Sequence, residues 1–123
     1  MGVLSKIRLE LARTREHPDG ERRIGYEFCA PLDEQGMIDV QKFRENRESC
    51  TVRRFRANEE HEDGHLVRKP GRAWSFHYDV HGDPSNDEAG FKFGNHRFVV
   101  GEYVSIREED VQQPYRVVSI LQP

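Results

Sequence analysis

The chain has 123 residues, of which 35% are hydrophobic, 10% aromatic and 33% charged, and its formal net charge at pH 7 is −3. A chain of this length is typical of one domain around one core, so we treat residues 1–123 as a single domain. The aromatic content argues against wholesale disorder, the lack of any apolar run of ~18 residues argues against a membrane-spanning helix, and the mild acidity argues against a strongly basic nucleic-acid-binding domain.

The first predicted elements are two strands joined by a turn. Apolar residues alternate with charged or polar ones in residues 3–13 and again in residues 23–30. A period of two is typical of strands that bury one face. Residues 17–20 end in Asp-Gly, a pair that favours a tight turn. Together these segments predict an antiparallel hairpin.

One short helix is predicted at residues 40–47, after a loop at residues 31–36. Asp39 is the expected N-cap, since its side chain can accept a hydrogen bond from a backbone N–H group in the first turn. The helix is short and polar, so we expect it to lie across one end of a sheet.

The middle of the chain contains three predicted strands. Residues 51–56 and 65–68 are separated by the polar stretch 57–64, which we expect to be a loop. Residues 72–80 form the strongest strand pattern, with three aromatic residues on one face and His77 on the other.

The C-terminal part alternates between turn-forming and strand-forming segments. Its predicted strands are residues 91–93, 97–106 and 115–121. A loop at residues 81–89 and a charged turn at residues 107–113 separate them, and Gly101 is expected to form a β-bulge.

Seven to eight short strands and one short helix predict an all-β fold, or a β-rich α+β fold, built as a small antiparallel barrel or sandwich. Residues 98–106 and 115–120 resemble the strand-turn-strand unit of SH3-like small barrels, in which a Gly-acid-x-Val-x-Ile strand is followed by a return strand rich in Val and Ile. The resemblance covers about 25 residues, implies a hairpin within a barrel, and implies no function.

The segment from His61 to His65 matches H-E-x-x-H, the motif of zinc metalloproteases. Its chemistry requires both histidines on one face of a helix and Glu62 as the general base. Asp63 and Gly64 disfavour a helix, because glycine costs about 1 kcal/mol in a helix interior. We therefore expect an exposed polar loop, and keep a zinc-dependent hydrolase with His61 and His65 as metal ligands as a remote alternative.

An arginine-rich strand is the candidate binding surface. Its residues are Arg53, Arg54 and Arg56, and the aromatic strand brings Trp74 and His77 close to them. Arginine pairs with phosphate and aromatic rings stack on bases, so this surface indicates an anion or nucleic-acid binder. Acidic residues nearby favour the alternative of a strand face covered by salt bridges.

A nucleophile elbow, a phosphate-binding loop and a dinucleotide fingerprint are all missing from the sequence. The sequence therefore favours a non-enzymatic binding or interaction module without a cofactor, which acts either on a protein partner or as a small regulatory module. The two cysteines, Cys29 and Cys50, are expected to be reduced thiols. The first ten residues lack the apolar core of a signal peptide, so we expect a cytoplasmic protein.

Overall fold

The computed structural model describes residues 3–69, 73–78, 88–90, 97–108 and 111–122. The strands in these residues are β1 (Val3–Leu11), β2 (Glu21–Leu32), β3 (Thr51–Phe55), β4 (Glu62–Lys69), β5 (Ala73–Tyr78), β6 (Glu88–Gly90), β7 (Tyr103–Glu108) and β8 (Val111–Leu121). The helix α1 spans Val40–Glu45 and is followed by a 3₁₀ turn, Arg47–Ser49. No helix in this described part of the chain is long and apolar enough to cross a membrane.

The strands form one closed antiparallel ring in which each strand pairs with its neighbours in sequence. β8 returns to β1, where Lys6 lies opposite Leu121. The predicted antiparallel barrel is therefore confirmed. β7 and β8 form a hairpin, as the resemblance to SH3-like barrels implies, and they pair as far as Glu108 and Val111. The charged turn predicted at residues 107–113 is thus wrong in length, because both strands extend into it.

Aromatic side chains fill the inside of the ring. Tyr26, Phe28, Phe76 and Tyr115 are at most 1% exposed. The ring centroid of Tyr26 lies 5.2 Å from that of Phe76 and 5.1 Å from that of Tyr115, and Phe28 lies 5.3 Å from Phe76. An eight-stranded barrel has room either for its own side chains or for one small ligand. Here side chains occupy that room, so binding sites are to be sought at the ends and on the outside.

The helix α1 contacts the core of the barrel through an aromatic pair. The side chain of Asp39 accepts a hydrogen bond from the backbone N–H of Lys42 at 3.1 Å, which confirms the predicted N-cap. Phe43 meets Trp74 in a T-shaped contact with centroids 4.7 Å apart. Trp74 is only 1% exposed, so it belongs to the core rather than to the exposed surface expected from the sequence.

The prediction that the whole polar stretch 57–64 is a loop is wrong, because its last residues belong to a strand. β4 begins at Glu62, and Asp63 lies opposite Arg53 on β3. The chain turns earlier, where Asn58 has a φ of 63°. Pairing with β3 thus extends β4 through two acidic residues that have little strand propensity of their own.

Three C-terminal predictions also change. The loop predicted at residues 81–89 ends earlier, because β6 already includes its last two residues. The strand predicted at residues 97–106 begins only at Tyr103, and Gly101, with a φ of 97°, lies in a turn rather than in a β-bulge. The strand predicted at residues 91–93 lies outside the described residues.

Candidate functional site

Arg53 lies on the outside of the barrel and is already paired. Its Nε is 2.8 Å from Oδ1 of Asp63, the residue opposite it on β4. Hydrogen bonding between the two lowers the pKa of Asp63 and raises that of Arg53. Both side chains are more than half exposed, so the pair contributes little to stability, but it offsets the charge of Arg53.

Arg54 points towards the inside of the barrel mouth. It lies opposite Tyr26, whose side chain is in the core, and residues opposite each other share a face. A guanidinium nitrogen of Arg54 is 3.1 Å from Glu62. Arg56, just after β3, donates a hydrogen bond of 2.9 Å to Glu108. All three predicted arginines thus contact carboxylates, as in the salt-bridged alternative.

Glu108 is the centre of a polar group that the sequence did not reveal. Its side chain is 14% exposed and lies 3.9 Å from Arg54. It accepts hydrogen bonds from the hydroxyl groups of Tyr26, at 2.8 Å, and Tyr115. We call Tyr26, Arg54, Arg56, Glu108 and Tyr115 the mouth cluster. The carboxylate of Glu108 links β2, β3, β7 and β8. It pairs with Arg54 and Arg56, which are then less available to bind an anion.

The H-E-x-x-H motif lies largely on β4 rather than on a helix or an exposed loop. Along an extended chain, residues four apart are separated by about 13 Å, too far for His61 and His65 to share one metal ion. His65 lies opposite His77 on β5, on the outer face of the sheet. Among the residues that the structure describes, no group of three or more His, Cys, Asp or Glu is placed to hold a metal ion.

A cleft between the α1 region and β4 has the features of a ligand site. This α1–β4 cleft encloses about 310 Å³. Its lining combines apolar and charged or polar residues. The apolar ones are Phe43, Leu66 and Val67, and the others are Arg47, Glu48, His65 and Arg68. The backbone N–H of Leu66 donates a hydrogen bond of 2.9 Å to the carbonyl oxygen of Cys50, which ties the end of the 3₁₀ turn to β4.

The arginines that line this cleft differ from the arginines of β3 in their ion pairing. Arg47 and Arg68 form no ion pair within the described part of the chain. The guanidinium of Arg68 lies 5.2 Å from the ring centroid of Trp74, a cation–π contact that leaves its charge uncompensated. Glu48 also lines the cleft, but it is exposed and contacts neither arginine as an ion pair.

The α1–β4 cleft includes none of the predicted binding residues, although it adjoins two of them. Trp74 lies beneath Arg68, and His77 lies opposite His65. Comparisons of the chain with protein-family models, with curated proteins and with solved structures found no match. The geometry of the cleft and of the mouth cluster is therefore the basis for assigning a function.

Proposed function

We propose that the protein is a non-enzymatic binding module that holds a small amphipathic anion in the α1–β4 cleft. The observation that carries this proposal is a cleft lined by three apolar residues and by two arginines, Arg47 and Arg68, that have no ion-pair partners in the described residues. Pockets for small molecules are typically about 300–1,000 Å³, mostly apolar, with a few polar groups that fix the ligand. At about 310 Å³, this cleft suits a ligand at the small end of that range.

The two parts of the cleft would bind two parts of one ligand. Phe43 and Leu66 are at most 3% exposed, so the core holds this side of the cleft in place and no rearrangement is needed. An aliphatic chain or a single ring would lie against the half-buried Val67 beside them. A carboxylate at one end would then pair with Arg47 and Arg68, since guanidinium groups bind carboxylates through two parallel hydrogen bonds.

The arginine-rich strand supports this function less well than the cleft does. Arg53, Arg54 and Arg56 each contact a carboxylate, so an anion arriving there would have to displace an existing partner. At the cleft an incoming carboxylate meets Arg47 and Arg68, which have no ion-pair partner among the described residues. The proposal therefore keeps the binding module that the sequence favours, adopts the anionic ligand of the alternative hypothesis, and moves the site.

Octanoate is a suitable first probe, with octylammonium as the control of opposite charge. Trp74 is the chain's only tryptophan and lies beneath Arg68, so its fluorescence reports on the cleft. We expect octanoate to change this fluorescence and the backbone NMR signals of β4, and octylammonium to have no effect.

Two variants test the assignment of the arginines. Replacing both Arg47 and Arg68 with Ala should weaken octanoate binding at least tenfold, because each hydrogen bond to a charged group contributes about 1.5–3 kcal/mol. Arg44→Ala is the matched control, since Arg44 is an exposed residue of α1 that does not line the cleft. Equal weakening by the control, or no octanoate binding to the wild-type protein, would contradict the proposal.

A further inference from the structure

A second cleft lies where the turn between β1 and β2 approaches β7 and β8. It encloses about 510 Å³ and, unlike the α1–β4 cleft, is lined mainly by polar groups. Three of its lining residues are arginines from three separate parts of the chain: Arg13 follows β1, Arg22 lies on β2 and Arg116 lies on β8. All three are exposed, and none forms an ion pair with a described residue.

Two of the carboxylates that line this cleft are compensated by arginines outside it. Glu10 lies opposite Arg116 in the β1–β8 register, but its carboxylate is 2.9 Å from Nε of Arg8 instead. The side chain of Glu21 accepts a hydrogen bond from Arg23, which lowers the pKa of Glu21.

Asp19 is the remaining acidic residue in the lining. The same lining holds Arg13, Arg22 and Arg116, three cations with no ion-pair partner among the described residues. The uncompensated charge of the cleft is therefore positive, although the whole chain carries a net charge of −3.

An exposed aromatic ring completes the cleft. Tyr103 is 62% exposed, the largest exposed fraction among the large hydrophobic residues that the structure describes. It begins β7 and lies directly opposite Arg116 on β8, so the ring and the guanidinium share the outer face of one hairpin. Exposed tyrosines beside arginines are the elements with which proteins bind bases and phosphates together.

We propose that this cleft binds phosphate groups attached to a nucleoside. Arg13, Arg22 and Arg116 would pair with phosphate oxygens, and Tyr103 would stack on the base. Three uncompensated cations suit a ligand with several negative charges better than they suit a single carboxylate. The cleft shares no residue with the α1–β4 cleft, so either site can fail without affecting the other.

Three probes separate the parts of this recognition: ATP, inorganic triphosphate and an octamer of deoxythymidine. We expect calorimetry on the full chain to show binding of ATP that weakens as salt rises. Replacing Arg22 and Arg116 with Ala should weaken ATP binding by about tenfold or more. Tyr103→Ala should weaken ATP binding about fivefold to tenfold and leave triphosphate binding unchanged, because the stacking of the base is then the only interaction lost.

Arg107→Ala is the control for these variants, because Arg107 is an exposed residue of β7 that does not line the cleft. Tighter binding of ATP than of the octamer would assign the phosphate to a free nucleotide, and the reverse order would assign it to a nucleic acid; both support the proposal. Absence of binding by ATP and the octamer would overturn it. So would binding that responds equally to Arg107→Ala, or ATP binding no tighter than triphosphate binding and insensitive to Tyr103→Ala.

Discussion

Replacing Glu108 with Ala removes the carboxylate on which the mouth cluster depends. Glu108 accepts hydrogen bonds from the hydroxyls of Tyr26 and Tyr115 and from the guanidinium of Arg56, and it lies 3.9 Å from Arg54. Alanine offers no acceptor to any of these groups. They come from β2, from β3 and the residue just after it, and from β8, so the substitution acts on three strands at once.

The expected loss of stability follows from how far these groups are buried. Tyr26 and Tyr115 are at most 1% exposed, and leaving each hydroxyl without this acceptor costs about 1 kcal/mol at the lower end of the usual range. Breaking a buried ion pair costs about 3–5 kcal/mol. The side chains of Arg54 and Arg56 are 23% and 26% exposed, so water screens part of that loss, and we assign it about 2 kcal/mol. The sum is about 4 kcal/mol.

Urea unfolding followed by tryptophan fluorescence and by circular dichroism measures this loss. With a slope of ~2 kcal/mol per molar urea, the midpoint for Glu108→Ala should fall by about 2 M. Glu108→Gln keeps an oxygen acceptor and should lose about half as much. Glu102→Ala is the control, because Glu102 is exposed just before β7 and should change stability by no more than about 0.5 kcal/mol. A loss below about 1 kcal/mol for Glu108→Ala would refute the role given to the mouth cluster.

Three further predictions concern single residues. Burial raises the pKa of Cys50 to about 11, so at pH 8 a thiol reagent should modify at most the half-buried Cys29 until the protein unfolds, and rapid modification of both would contradict this. The hydrogen bond from Arg53 lowers the folded-state pKa of Asp63, so the small stabilisation from this pair is present above the unfolded-state pKa and is lost as the pH falls through the folded-state pKa. In an NMR titration, Arg53→Gln should raise the pKa of Asp63 towards its ordinary value. An unchanged pKa would contradict this hydrogen bond as the cause of the shift. In Gly64→Ala the new Cβ would lie 2.0 Å from a backbone carbonyl oxygen of β5, so thermal unfolding should show a loss of about 1–3 kcal/mol, and a wild-type melting temperature would show that the strands can separate there without cost.

Strands could be predicted wherever apolar and polar residues alternate along the chain, because this alternation shows that one face is buried. Ile7, Leu9 and Leu11 alternate with charged residues, and all three are buried in the core, as the period of two indicates. The start of β4 could not be predicted in this way. Glu62 and Asp63 have little strand propensity, and they lie in a strand because the register of β4 on β3 extends that far, which neighbouring residues do not show.

The candidate site could not be predicted because pairing depends on the register of distant strands. Arginines are densest on β3, and this made the strand a plausible anion-binding surface. The partner of Arg56, however, is Glu108, 52 residues further along the chain. Arg47 and Arg68 carry no signal in the sequence that separates them from the paired arginines, and only the packing of the α1 region on β4 brings them to one cleft.

The pairing of β8 with β1 also sets the order in which the ring can be completed during synthesis. Residue 6 cannot find its partner until residue 121 has left the ribosome, so until then β1 lacks its pairing with β8. Throughout this interval the outer edge of β1 keeps unpaired N–H and C=O groups, which other chains can join. Contacts between such distant parts of a chain slow folding to roughly milliseconds or seconds. A chain released before β8 is made would therefore keep that edge permanently and would be a substrate for chaperones or a seed for aggregation.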